Sequence, residues 1–277
     1  MLNFRYFADI YRKMDKNKLN NNSPILIPEN QAVPLVGLSE NYPNLRSEPH
    51  SHDYGQLYYC VAGSIEVKIS SGIWFVAPHR AVWIPQGVVH HSSSKQRVSL
   101  RILYVDQTHY SGLPIETTVI QVSPLLRELI EGVIQQGNEW PDNHQEARLS
   151  QVTIDKIVSA PRERLYLPLP EDSRALFACQ LMQAQAELHI DIQVICQQAG
   201  LSQRTLVRIL QSELKMSLQQ WKQQLLLMKS IVMMSEKKSI THIAMDLGYA
   251  NPSAFITMFK KAMGVAPNEY FNKHPHK

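Results

Sequence analysis

The chain has 277 residues, 44% hydrophobic and 19% charged, with 28 Lys/Arg against 24 Asp/Glu for a net charge of +4. That length holds two domains with separate cores, and the apolar share excludes wholesale disorder. No run of about 18 apolar residues occurs, so no membrane helix is expected, and three scattered cysteines (Cys60, Cys179, Cys196) without a CxxC pair exclude a disulfide framework or cysteine zinc site and fit a reducing cytoplasm.

Residues 1–22 mix Phe4, Tyr6, Phe7 and Tyr11 with Arg5, Arg12, Lys13, Lys16 and Lys18. They lack the continuous apolar core of a secretory signal, so residues 1–24 read as a flexible arm. Residues 25–110 carry strand signals. Ile65, Val67 and Ile69 alternate with polar neighbours, and Val98, Leu100, Ile102 and Tyr104 do the same. Short apolar runs broken by Pro78, Pro85 and Gly87 lie between them, which predicts a small antiparallel barrel.

From Ser123-Pro124 the period changes to helical, with Leu125, Leu126, Leu129, Ile130, Val133 and Ile134 as apolar positions. A second helix is expected over 142–159, with Leu149, Val152 and Ile157 on its buried side. Pro161, Pro168 and Pro170 exclude a helix over 161–170 and mark a linker, so the first domain spans 25–160 and the second 171–277. All the excess positive charge lies in the second part: 12 Lys/Arg against 8 Asp/Glu from Glu171 onward, and 16 of each before it. Phosphate attraction requires such a placement, though a solvated helical surface has it too.

One pattern occurs twice in the second part. Residues 192–215 and 240–264 each hold a short amphipathic helix, a glycine (Gly200, Gly248), a tight turn, and a helix opened by small polar residues. This is a helix-turn-helix layout, and a tandem pair implies a protein that grips duplex DNA at two successive grooves. In the first unit Leu206, Ile209 and Leu210 form the buried stripe. Gln203, Arg204, Val207, Arg208 and Gln211 are left on the outer side. Arg204 and Arg208 stand one helical turn apart, and their guanidinium forks suit guanine O6/N7 or phosphate. In the second unit Phe255, Met258 and Phe259 read as core. Asn251, Pro252, Ser253, Thr257, Lys260 and Lys261 remain for shape reading, methyl contacts or phosphate anchoring. Ser253, near the helix start, is placed to orient a phosphate on free backbone N–H groups. Trp221, Leu225, Met228 and Val232 belong to one long helix between the units, which fixes the recognition helices about 34–36 Å apart, one turn of duplex.

Three stretches carry a resemblance. They are Ala199-Gly-Leu-Ser-Gln-Arg-Thr-Leu, Ile243-Ala-Met-Asp-Leu-Gly-Tyr-Ala-Asn-Pro-Ser-Ala-Phe, and Phe259-Lys-Lys-Ala-Met-Gly-Val-Ala-Pro-Asn-Glu-Tyr. Over residues 171–274 the chain resembles the double helix-turn-helix domain of the AraC/XylS transcription regulators. The Phe255/Phe259 pair and the closing Gly264, Pro267 and Tyr270 stand at that family's spacing. The first part resembles a cupin. It has His50-Ser-His52, Gln56 and Gly63, then Arg80-Ala-Val-Trp-Ile-Pro-Gln-Gly-Val-Val-His90, with His79 and Ser94 where the cupin pattern often has glycine and asparagine. The resemblance implies an α+β chain: a cupin-like β-barrel with trailing helices, then an all-α DNA-binding domain.

It also implies a cytoplasmic, homodimeric regulator that responds to a small effector at promoter DNA, with RNA polymerase as a partner if it activates, and with a neighbouring transporter gene as a frequent kind of target. Metal-bearing cupins ligate an ion with the HxH pair, a glutamate and a later histidine. His50 and His52, two apart on a strand, point to the same side, and His90 is the third. Gln56 replaces the glutamate and weakens the set for a hard divalent ion. Three readings of His50, His52, Gln56 and His90 stay open: a divalent metal site, a polar patch for an organic effector, and packing alone. No cofactor is required for the regulator. A metal-dependent cupin enzyme is the alternative, and a ligand-blind architectural DNA protein is a third.

Overall fold

The computed structural model describes residues 34–136, 144–185 and 189–270; the arm expected over 1–24 lies outside them. Two antiparallel sheets form the first domain. β1 (Leu35–Tyr42), β2 (Gly55–Ala62), β5 (Arg80–Ile84), β7 (Val98–Val105), β8 (Thr118–Gln121) and β9 (Arg162–Glu163) make one, in the order β1-β7-β2-β5-β8-β9. The other is β10 (Tyr166–Pro168), β4 (Gly72–Val76), β3 (Ile65–Ile69) and β6 (His91–Ser93), in the order β10-β4-β3-β6.

The period of two decides what each side chain meets. From β2 and β7, Tyr58, Cys60, Val98, Leu100, Ile102 and Tyr104 enter the core between the sheets. Their neighbours Leu57, Tyr59, Leu103 and Val105 point outward, yet they too are buried. They pack beneath α1 (Pro124–Gln136) and α2 (His144–Ser159) through Leu126, Ile130, Val133, Ile154 and Ile157. A sheet covered on both faces is apolar at successive positions, as both strands are. The helices bury narrow stripes only. Leu125 and Val152, expected inside, are 54% and 41% exposed, because a helix lying on a flat sheet covers about a third of its circumference. Gly63 opens the β2–β3 connection at φ 80°, and a Cβ there would stand 2.5 Å from the Arg97 carbonyl oxygen.

The linker expectation for 161–170 needs correction. The prolines do prevent a helix, but the segment pairs with both sheets: β9 with β8, β10 with β4. These strands place Leu165, Leu167 and Leu169 in a core cluster that continues from the barrel into the helical domain. That domain comprises α3 (Ser173–Gln185), α4 (Ile192–Gln198), α5 (Gln203–Glu213), α6 (Leu218–Ser235), α7 (Ile240–Asp246), α8 (Pro252–Met263) and α9 (Pro267–Tyr270). α6 docks on the pairing segment. Trp221, fully buried, donates Nε1–H to the Pro168 carbonyl at 2.8 Å, and Gln224 donates to the carbonyls of Arg164 and Tyr166. A second contact closes the seam. Glu163 accepts from Arg80 at 3.1 and 3.2 Å, from Gln121 at 2.6 Å and from the Tyr270 hydroxyl at 3.2 Å. The Arg80 guanidinium lies 4.1 Å from the Tyr270 ring centroid.

Candidate functional site

The two helix-turn-helix units repeat one hydrogen-bond plan. In the first, Gly200 N–H and Leu201 N–H return to the carbonyls of Gln197 and Cys196; in the second, Gly248 and Tyr249 return to Met245 and Ala244. Both glycines have positive φ, 66° and 82°, the left-handed conformation that ends a helix cheaply only in glycine. A polar cap then opens each second helix: Ser202 Oγ accepts the Thr205 N–H of α5, and Asn251 Oδ1 accepts the Ala254 N–H of α8. The second turn is one residue longer between glycine and cap, so with the caps aligned Leu206 and Leu210 match Phe255 and Phe259. All four are buried.

The same alignment sets Arg204 against Ser253 and Arg208 against Thr257. In α5 the expected readers Gln203, Arg204, Val207, Arg208 and Gln211 are all exposed on one side. In α8 Asn251, Ser253, Thr257, Lys260 and Lys261 are exposed, and Pro252 is half-buried at the first turn. Two of these already have work. Asn251 spends its carbonyl oxygen on the cap, and Thr257 Oγ1 donates to the Ser253 carbonyl at 2.9 Å. The second helix therefore offers a threonine methyl and two lysines where the first offers two arginines.

In the barrel the expected cluster comes together. His50 and His90 exchange both backbone hydrogen bonds, at 3.0 and 2.9 Å, which brings the loop before β2 against the loop before β6. The rings of His50, His52 and His90 have centroids 4.5–6.0 Å apart, and one nitrogen from each lies within 4.8 Å of the others. Gln56 joins them from β2, fully buried, opposite Tyr104 of β7.

The wiring of the three imidazoles is uniform. Each Nδ1 stands 2.8 Å from a backbone carbonyl: Glu48 for His50, Tyr54 for His52, Val88 for His90. A carbonyl only accepts, so each Nδ1 carries the proton. Burial lowers the His52 pKa and pushes that of His90 down to about 4, so both rings are neutral and each Nε2 is a lone pair. Gln56 Oε1 nevertheless lies 3.1 and 3.0 Å from the Nε2 atoms of His52 and His90, and His50 Nε2 is buried with no partner. Turning the amide would satisfy His52 and His90 but leave His50 Nε2 orphaned. A cation among the four atoms satisfies all of them. Backbone-held Nδ1–H groups are the usual second tier of a metal site.

Sequence reasoning missed Tyr58, Ser92 and Tyr104. Tyr58 follows Gln56 by two on β2 and shares its face; Ser92 pairs across β6 with Val67. Tyr58 Oη and Ser92 Oγ are buried without a hydrogen-bond partner. Burial raises the Tyr58 and Tyr104 pKa values well above 10, so both stay protonated. Period-two counting from Gln56 would have found Tyr58. His79 sits at φ 66°, the left-handed conformation in which the cupin pattern often has glycine.

An AraC-like ligand-binding domain family matches residues 32–162, and a helix-turn-helix domain family matches 195–273. The chain is 31% identical over 229 residues to the HTH-type transcriptional regulator NimR of Escherichia coli (strain K12), covering 82% of each chain. Solved structures align loosely. ToxT from Vibrio cholerae is 13% identical, covers 88% of this chain and 100% of its own, and has a TM-score of 0.37. The C-terminal domain of AraT from Geobacillus stearothermophilus is 26% identical, covers 38% of this chain and 89% of its own, and has a TM-score of 0.35.

Proposed function

The chain belongs to the AraC family of HTH-type transcriptional regulators, and from that premise we propose that α5 reads bases through Arg204 and Arg208 while α8 anchors the protein on the backbone. The observation that carries this is the alignment of the two capped helices, which sets arginines against Ser253 and Thr257 at matched exposed positions. Gln203, Val207 and Gln211 flank the arginine pair, and Lys260 and Lys261 supply phosphate contacts. Mapping bound DNA genome-wide and aligning the sites tests the assignment. Each site should show one strongly specified segment and, about one turn away, a weakly specified one. Equal information in both segments would overturn it.

The barrel is the sensor, and we propose that its effector site is the interior cluster of His50, His52, Gln56 and His90. These residues fit a divalent transition ion of the kind that imidazole ligands favour, a cation being what satisfies the otherwise unpartnered His50 Nε2. Such an ion would supply a positive centre that recognises a Lewis base. The chain's residues fix the tautomers and exclude water. A ligand that prefers one arrangement of barrel and DNA-binding half shifts the balance between them. We propose a cytoplasmic homodimer that acts as a sensor rather than a catalyst and contacts RNA polymerase where it activates. Among the described residues no helix is long and apolar enough to cross a membrane. Metal analysis combined with an assay for oxygen-dependent turnover separates a sensor from a cupin enzyme.

A further inference from the structure

Every donor that converges on the interior cluster is uncharged: three imidazole nitrogens and the amide oxygen of Gln56. A divalent cation on that set keeps its full charge inside the protein, where an uncompensated charge is costly. A compensating anion has no carboxylate to come from within the cluster. Three unpartnered donors stand at and beside Gln56, however. Gln56 Nε2, Tyr58 Oη and Ser92 Oγ are fully buried residues' polar atoms with no hydrogen-bond partner. Ser92 and Gln56 flank the Tyr58 hydroxyl, so the three donors face one another. An amide NH₂ and two hydroxyls are donors, the complement of an oxyanion.

His50 is the half-exposed member of the cluster. We propose that the sensor's effector is a small carboxylate that binds jointly with a divalent transition-metal ion. The metal is held by His50, His52, His90 and Gln56 Oε1, and the carboxylate is met by Gln56 Nε2, Tyr58 and Ser92. This rests on the metal reading above. Gln56 is the determinant: a glutamate there would neutralise part of the charge and remove the need for the ligand.

The test uses Co²⁺ and acetate as probes on the full chain, with calorimetry and the visible Co²⁺ spectrum as readouts. Co²⁺ is expected to bind one per chain, His50→Ala to abolish this, and acetate to tighten it by about tenfold or more while changing the spectrum. Gln56→Glu should bind Co²⁺ more tightly without acetate and lose most of the acetate effect. Tyr58→Phe, which removes only a hydroxyl, should weaken the acetate effect more than the affinity for Co²⁺ alone. Absence of stoichiometric Co²⁺ binding, an acetate effect under about twofold in the native chain, or a full acetate effect in Gln56→Glu overturns the proposal. Duplex-DNA binding by the same samples keeps the outcomes apart: loss of DNA binding counts against the regulator assignment, and loss of the metal–acetate linkage counts against this one.

Discussion

At the scale of single residues, the arginine pair gives the sharpest expectation. Arg204→Ala and Arg208→Ala should each cost about 1–3 kcal/mol at a specific site and relax its sequence preference. Thr257→Ala should change specific and random DNA alike, because the Thr257 hydroxyl already donates to the Ser253 carbonyl. Competition with random duplex measures both; an unchanged specific-to-random ratio in the arginine variants would remove them from base reading. Gly63→Ala should destabilise the barrel by about 1–3 kcal/mol, read by urea unfolding, since φ is positive and the new Cβ meets a backbone oxygen. The histidines and Gln56 were legible in the sequence because their spacing is local to two short motifs. Tyr104 was not, since a tyrosine in an apolar strand looks like core until its cross-strand partner, Gln56, is known.

At the scale of elements, the helices α1, α2 and α6 and the strands β3 and β7 follow from periodicity, and the two helix-turn-helix units from a repeat that glycines and caps punctuate. The segment 161–170 did not follow. Its prolines forbid a helix, but whether such a stretch floats or joins a sheet depends on partners about 45 and 95 residues away in sequence, which no local pattern encodes. The partners make it a structural strap with a charged knot at Glu163. Glu163→Ala leaves Arg80 buried and unpaired and should cost about 3–5 kcal/mol. Tyr270→Phe keeps the ring on Phe259 and over the Arg80 guanidinium, removes one charge-assisted hydrogen bond, and should cost about 1.5–3 kcal/mol. Chemical denaturation of the two variants separates the charge from the hydroxyl, and equal losses would show that the hydroxyl carries the contact.

At the scale of the molecule, one apolar cluster runs from the barrel through Leu165, Leu167 and Leu169 to Trp221 and onward to Phe255 and Phe259. The halves are therefore expected to unfold in a single calorimetric transition, and Trp221→Ala, which empties the seam, should split it into two. Charge is apportioned differently, with the whole excess on the DNA-binding side, so affinity for duplex should fall steeply with added salt while binding of small ligands to the barrel should not.

The strap has a practical corollary for anyone who would exchange sensors between regulators of this kind. A fusion cut at the apparent domain boundary near residue 161 would give the new barrel edge strands it had not evolved to pair, and would strand Tyr270 opposite an unfamiliar carboxylate or none. The portable module is the barrel together with residues 162–168 and whatever faces Trp221 and Tyr270. Grafts that respect that boundary inherit the coupling, and grafts that ignore it inherit two polypeptides that merely share a peptide bond.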